Sequence, residues 1–163
     1  MGLGIGRKLG LHWWLLLCFS VSALAADPPI YSHAKHGAIK GYDVVAYYSL
    51  QPGDDAVKGS DEFTYNWNGA TWKFVNAKNL ALFKLNPESY APQYGGYCSF
   101  AVAHGYVTSI RPDSWKVVDG KLYLNYSRFS FKRWEKDMNK KIAEADANWP
   151  AVLTVCEERG NCK

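Results

Sequence analysis

One short segment, running from Tyr94 to Gly105, holds the residues of this chain best suited to chemistry. It contains a lone cysteine, Cys98, with the pair Gly95-Gly96 before it and His104 after it. If a helix begins at the glycine pair, Cys98 lies in the first turn, where free backbone N–H groups and the helix dipole favour a thiolate. A thiolate binds soft metals and attacks disulfides and peroxides. A small buried residue that only packs is the alternative, and the residues leave both open.

Histidines supply the other candidate metal ligands. His104 follows Cys98 by six residues, about 240° around a helix, so the two side chains share a face only if the helix ends early or is distorted. His104 can instead cap the C-terminal end of that helix, where a cation is favoured. His36 is a more distant candidate. Its spacing from His33 suits a metal only on a helix, and exposure of both rings is the simpler expectation.

Two β-hairpins are predicted to frame this segment. The first pairs residues 62–67 with 70–75 around Asn68-Gly69, and its aromatic side chains alternate along one face. The second pairs residues 115–118 with 121–126 around Asp119-Gly120. Residues 41–48 are rich in β-forming side chains and predict a further extended segment, whereas residues 26–40 look irregular. The aromatic stripes are most simply explained as core.

Three helices are predicted between and after the hairpins. Asn76 is a suitable N-cap for a helix over residues 77–85, and a short helix covers residues 97–103. Apolar residues at spacings of three and four then predict one long terminal helix over residues 130–147, ended by Pro150. Hairpins interleaved with helices predict a small single domain of the α+β class, with two antiparallel hairpins packed against about three helices.

The N-terminus has the three-part pattern of a secretory signal peptide. Arg7 and Lys8 precede an apolar run, and Ala23-Leu24-Ala25 is a small-x-small cleavage site. Residues 1–25 are therefore expected to be removed, leaving residues 26–163 as one domain with a short polar tail. The apolar run is short for a membrane span, so we expect no stable membrane insertion after cleavage. The predicted location is the periplasm or the exterior.

Cleavage changes the charge and the cysteine count. The chain of 163 residues carries a net charge of +4, and loss of Arg7 and Lys8 leaves 17 basic and 15 acidic residues, a net charge of +2. So small a charge gives no reason to expect a nucleic-acid partner. Three cysteines remain. Cys156 and Cys162 are expected to pair in the tail of an exported chain, and Cys98 is then the odd thiol.

Composition and motifs exclude several classes of protein. With 48% hydrophobic and 15% aromatic residues, the chain is too apolar to be disordered. It is too short for a barrel or a doubly wound enzyme. It has no phosphate-binding loop, no Cys-x-x-Cys pair, no His-Glu-x-x-His and no Ser nucleophile elbow. The chemistry that remains centres on Cys98.

Several segments together resemble the exported bacterial YHS-domain proteins. The matching segments are residues 41–47, 69–74, 86–98, 119–126 and 145–150. The resemblance covers roughly residues 37–150, and it implies a small α+β module that binds or senses a metal, often copper. Some relatives carry selenocysteine at the position that matches Cys98, which implies a redox or soft-metal centre there. This chain departs from the metal-binding branch, which supplies several closely spaced cysteines.

The leading hypothesis from the sequence is an exported YHS-domain protein that binds a soft metal, most plausibly copper. Cys98 is the first ligand, His104 the second, and His36 a distant candidate. A thiolate with histidine suits Cu(I), whereas a four-cysteine zinc site is excluded. In the first alternative the protein is an enzyme whose catalytic thiol is Cys98, acting on a small redox substrate. In the second it is a structural or protein-binding module without metal.

Overall fold

The computed structural model describes residues 1–2 and 29–154. Its strands form three antiparallel pairs, and its helices follow or separate them in a mixed α+β arrangement, which confirms the predicted fold class. The strands are β1 (Ser32–His33), β2 (Gly37–Ala38), β3 (Ser60–Trp67), β4 (Ala70–Phe74), β5 (Arg111–Val118) and β6 (Lys121–Asn125). The α-helices are α1 (Ala77–Leu85), α2 (Pro87–Tyr90), α3 (Ser99–Ala103), α4 (Arg128–Lys136) and α5 (Met138–Asn148).

Both predicted hairpins are present, because each turn has residues that accept a left-handed backbone. Asn68 and Gly69 have φ of 48° and 75°, and Asp119 and Gly120 have φ of 50° and 72°. These values match the two-residue turns that favour the twist of a hairpin. β3 and β5 extend beyond the predicted strands, and each has a register shift near its start.

The segment of residues 41–48 was expected to be extended, and this prediction is wrong. Apart from one bridge between Tyr42 and Lys58, it turns into a 3-10 helix at Ala46–Ser49. The buried Asp43 explains the turn, because its Oδ1 accepts hydrogen bonds from the backbone of Val45 (2.9 Å) and Ala46 (3.2 Å). Such local bonds compete with a strand ladder. The irregular region before it contains the small β1–β2 sheet, which the sequence did not predict.

The prediction of a single terminal helix is also wrong, because two helices meet at Asp137. Asp137 has φ −126° and ψ 42°, which is not helical. A capping box between Ser127 and Ser130 starts α4 two residues earlier than predicted. The break lets α4 contact β6 and β5 while α5 packs against α3. The α1 prediction is confirmed, with its Asn76 cap.

The core consists of two groups of buried side chains on opposite faces of β6. Leu122 and Leu124 belong to the group that holds Trp72, Phe74 and Phe83. Tyr123, which points the other way along the strand, belongs to the group of Tyr94, Tyr97, Val102, Trp134 and Ala145. The aromatic stripes are therefore core, as expected. β6 ends at Asn125, next to the start of α3.

Candidate functional site

Cys98 is the N-cap of α3 rather than a residue of its first turn. A 3-10 helix at Gln93–Gly96 precedes it, in which Tyr94 and Gly95 are left-handed. The glycines have a packing role here. A Cβ at Gly95 would overlap the carbonyl oxygen of Pro29, and one at Gly96 would overlap the side chain of Ile39. They let the N-terminal segment approach this turn closely.

The side chain of Cys98 is buried in a polar pocket of the core. Only 1% of the residue is exposed, and it forms no disulfide. The thiol donates a hydrogen bond to Asn125 Oδ1 at 3.7 Å, and the same oxygen accepts from the Phe100 N–H at 3.2 Å. Four polar groups lie beside the sulfur and favour its charged form: the backbone N–H groups of Ala101, Tyr126 and Phe100 and the hydroxyl of Ser130. In the resting protein the Ser130 hydroxyl donates to the Ser127 carbonyl at 2.9 Å. The pocket is thus built from α3, the end of β6 and α4.

Burial raises the pKa of the Cys98 thiol above its usual value, despite the four donors that lower it. The expectation that the helix start favours a thiolate is therefore wrong in sign for the resting protein. The physical reason is desolvation, which penalises the charged sulfur more than the donors stabilise it. Cys98 rests as a neutral thiol at neutral pH. Its charged form, once made, has donors already in place.

Three further polar side chains near this pocket are buried without hydrogen-bond partners at one atom each: Ser99 Oγ, Asn125 Nδ2 and Trp134 Nε1. Ser99 adjoins Cys98 in the chain, and Asn125 contacts its sulfur. Trp134 lies one turn after Ser130, on the same face of α4. An unpaired buried donor costs about 1–3 kcal/mol, so such groups need a reason. Of the three, Asn125 is the side chain that hydrogen bonds to Cys98.

His104 lies at the opposite end of α3 from Cys98, as the C-cap residue. Its ring is exposed, packs at a tilt against Phe100 with 4.3 Å between centroids, and donates from Nδ1 to the Phe100 carbonyl at 2.6 Å. That bond satisfies one of the open carbonyls of the helix end. The structure therefore favours the capping role that the sequence offered as an alternative, and it does not bring His104 to the Cys98 sulfur.

His36 lies in the turn between β1 and β2, away from α3. Its ring stacks on His33, with centroids 4.8 Å apart. Partial burial, followed by the charges of His33, Lys58, Lys35 and Lys73, lowers its pKa. Within residues 1–2 and 29–154, no group of three His, Cys, Asp or Glu side chains is arranged to hold a metal ion. The three predicted ligands are therefore not brought together.

The neighbours of the Cys98 sulfur suit thiol chemistry better than copper. Cu(I) is held by thiolates, thioethers and imidazoles, whereas this sulfur is surrounded by hydrogen-bond donors and one amide oxygen. The backbone N–H groups have no lone pair to give a metal, and hydroxyl and amide oxygens are hard ligands that suit Cu(I) poorly. The residues at the pocket do not fit the ion, and copper binding stays a prediction of the resemblance.

Sequence reasoning missed Asn125 and Ser130, which complete the pocket. The signal for Asn125 was weak but present, since it is a polar residue at the end of an otherwise apolar strand. Ser130 was read only as the start of a helix. Its contact with Cys98 depends on how α4 packs, which the local sequence does not show. Cys18, Cys156 and Cys162 lie outside the described residues.

No known protein-family model, curated protein or solved structure matches this chain. The likeness to YHS-domain proteins therefore rests on the sequence segments alone. Among the described residues, none of the helices has the length and apolar character needed to cross a membrane.

Proposed function

We propose that this chain is an exported YHS-like protein whose Cys98 is a redox-active thiol that reacts with small hydroperoxides. The observation that carries the proposal is a buried sulfur that contacts Asn125, whose amide nitrogen has no partner, and that lies beside four polar groups able to favour its charged form. The signal-peptide pattern of residues 1–25 supports a location in the periplasm or outside the cell.

The donors act on the charge that develops during the reaction. The thiol of Cys98 loses its proton, and the thiolate attacks the terminal oxygen of the hydroperoxide. The O–O bond breaks, and an alcohol or water leaves with the proton. Cys98 becomes a sulfenic acid, so the sulfur is oxidised by two electrons and the peroxide is reduced by two. The N–H groups and Ser130 stabilise the sulfur as it becomes charged, and Asn125 Nδ2 can donate to the peroxide.

The cycle is closed by a low-molecular-weight thiol. One such thiol attacks the sulfenic acid, water leaves, and a mixed disulfide forms at Cys98. A second thiol attacks that disulfide and releases the reduced protein with an external disulfide. Because Cys98 is 1% exposed, access for these thiols requires local opening of the pocket. Peroxide needs less room than a thiol reductant, so oxidation is the easier half of the cycle.

The test is site-resolved oxidation of the exported, purified protein. Hydrogen peroxide is added, sulfenic acid is trapped with dimedone, and each cysteine peptide is followed by mass spectrometry. We expect the Cys98 peptide to be trapped, and Ser130→Ala to slow its oxidation about tenfold, since a hydrogen bond to a charged group contributes roughly 1.5–3 kcal/mol. Ser127→Ala, which removes the other side chain of the same capping box and leaves the Ser130 hydroxyl in place, is the matched control and should retain the wild-type rate in its folded fraction.

Two results would overturn the proposal. In one, hydrogen peroxide oxidises Cys98 more slowly in the folded protein than in the same protein unfolded in urea, when the two rates are compared at equal thiolate fraction. The other is stoichiometric Cu(I) binding that is lost in Cys98→Ser, because that result returns the site to the metal hypothesis of the sequence.

A further inference from the structure

A cleft of about 410 Å³ lies on the other side of α4 from Cys98. It is bounded by the 3-10 turn Ala46–Ser49, the loop that follows this turn, strand β5 and one face of α4. Its size falls within the range of about 300–1,000 Å³ that is typical of small-molecule sites. No residue of the Cys98 pocket lines it.

Helix periodicity separates the cleft from the thiol. Arg128, Phe131, Lys132 and Glu135 line the cleft, and they follow the spacing that places residues on one face of a helix. Ser130 and Trp134 point to the opposite face, toward Cys98 and the core. A ligand in the cleft would therefore contact neither the sulfur nor its donors.

Aromatic rings form the walls, and their polar ends are already used elsewhere. Tyr47 packs edge-on against Trp115 at 5.2 Å between centroids, and its hydroxyl donates to the Pro112 carbonyl at 3.1 Å. Trp115 Nε1 donates to the Asp54 carbonyl at 3.1 Å, and the Tyr48 hydroxyl donates to the Ser89 carbonyl at 3.0 Å. The rings are thus held in place, and what they leave to a ligand is apolar surface.

The charges at the cleft are not balanced. Lys116 pairs with Glu135 at 2.7 Å, and Asp113 accepts a hydrogen bond from the Ala56 N–H at 3.0 Å. In the part of the chain that the structure describes, Arg128 and Lys132 have no ion pair or hydrogen bond. Two unpaired cations beside fixed aromatic walls are complementary to a ligand that combines a ring with a negative charge.

We propose that this cleft binds a small aromatic carboxylate. Its ring packs against Trp115 and Phe131, and its carboxylate pairs with Arg128 and Lys132. A guanidinium can hold a carboxylate by two parallel hydrogen bonds, which distinguishes a carboxylate from a neutral ring of the same shape. The proposal is independent of the redox role of Cys98.

The test compares three probes that share an indole ring and differ in charge. The ¹⁵N-labelled protein is titrated with indole-3-acetate, indole and tryptamine, and the Trp115 indole N–H signal, assigned with Trp115→Phe, is followed by NMR. Indole-3-acetate should bind with a Kd on the order of 0.1–1 mM, and tryptamine at least tenfold more weakly. Binding should weaken as salt is added, because exposed charges are screened.

Charge variants make the test specific. Arg128→Gln with Lys132→Gln should weaken indole-3-acetate binding at least tenfold. Lys78→Gln with Lys121→Gln removes the same charge from exposed positions outside the cleft and should leave the Kd unchanged. Cys98→Ser should also bind normally. Equal binding of tryptamine, an unchanged Kd in the cleft variant, or no binding of indole-3-acetate at 10-fold above the expected range would each overturn the proposal.

Discussion

Helix α4 separates two sites of opposite character. The face with Ser130 and Trp134 meets a closed pocket in which Cys98 is 1% exposed and the surrounding groups are uncharged donors. The face with Arg128 and Lys132 meets an open cleft with aromatic walls and unpaired cations. One face of the helix thus borders a pocket in which burial disfavours a charged group, and the other face borders a cleft that presents two positive charges.

The difference teaches what each site can accept. Burial that raises the pKa of a thiol also excludes charged reagents, because both effects are the cost of moving a charge out of water. Hydrogen peroxide is small and neutral, so its approach to Cys98 carries no such charge penalty. An aromatic carboxylate is excluded there and is suited to the cleft. The following changes test whether the two sites are truly separate.

Removal of the sulfur gives the largest difference between the sites. In Cys98→Ser, trapping of a sulfenic acid at position 98 should be lost entirely, whereas the Kd of indole-3-acetate should stay within twofold of the wild type. Peptide mass spectrometry and NMR titration measure the two effects on one preparation. A changed Kd with unchanged far-UV circular dichroism would show that the sites communicate.

Truncation of the shared helix contact should damage both sites at once. Trp134 is fully buried, and Trp134→Ala should lower the free energy of unfolding by about 3–5 kcal/mol, because it leaves a large cavity between α4 and the core. Urea unfolding followed by circular dichroism gives the value. Phe129 lies on the same helix but is 69% exposed, and Phe129→Ala should stay within about 0.5 kcal/mol of the wild type.

The pH dependence of oxidation should distinguish the buried thiol from an exposed one. Because burial raises the pKa of Cys98, the thiolate fraction, and with it the oxidation rate, should keep rising from pH 7 to pH 9 without a plateau. Ser130→Ala should move the profile toward higher pH, since it removes a donor that favours the charged form. Stopped-flow rates with hydrogen peroxide measure this. A plateau near pH 7 would contradict the assigned resting thiol.

Alkaline conditions should lower the free energy of unfolding, because burial disfavours the charged forms of several acidic side chains. Burial raises the pKa of Tyr48 to about 12 and also raises the pKa values of Cys98 and Tyr123. The unfolded chain releases these protons first, so the free energy of unfolding should fall as pH rises from about 9 toward 12. Urea midpoints at pH 8, 10 and 11 show the trend, and Tyr48→Phe should make it shallower. A midpoint independent of pH would contradict the desolvation.

The smallest change concerns the cleft alone. Glu135→Gln removes the partner of Lys116 and adds positive charge to the cleft, so indole-3-acetate should bind about twofold to threefold more tightly. The matched change Glu88→Gln, on an exposed residue outside the cleft, should have no effect. Weaker binding in Glu135→Gln would contradict this expectation. It would mean that the Lys116–Glu135 ion pair holds the cleft in shape rather than reducing its positive charge.

Local signals in the sequence were sufficient for the hairpins and α1. Asn68-Gly69 and Asp119-Gly120 determine their turns through backbone preferences, and Asn76 caps a helix by contacts within three residues. The predictions from local sequence were wrong at Asp43, in the segment expected to be extended, and at Asp137, in the helix expected to be continuous. In the first case a buried side chain bends a β-rich segment, and in the second a break allows neighbouring helices to pack on different partners.

The candidate site was predictable only to its central residue. Cys98 stood out as the one cysteine of its glycine-containing segment, but its burial decides the direction of its pKa shift, and burial is a property of the whole fold. Asn125 and Ser130 reach the sulfur from β6 and α4, more than 25 residues along the chain. The cleft face of α4 follows helical spacing, yet only the packing of β5 turns that face into a site.

A thiol as deeply buried as Cys98 also reports on motion. A bulky alkylating reagent cannot enter the closed pocket, so it labels the sulfur only when α3, β6 and α4 part. When closing is faster than labelling, the rate is the product of the opening equilibrium and the intrinsic rate of the exposed thiol. Comparing that rate with peroxide oxidation separates transient opening of the region from simple diffusion into it. The labelling rate of Cys98 therefore measures how often the region between the two sites opens.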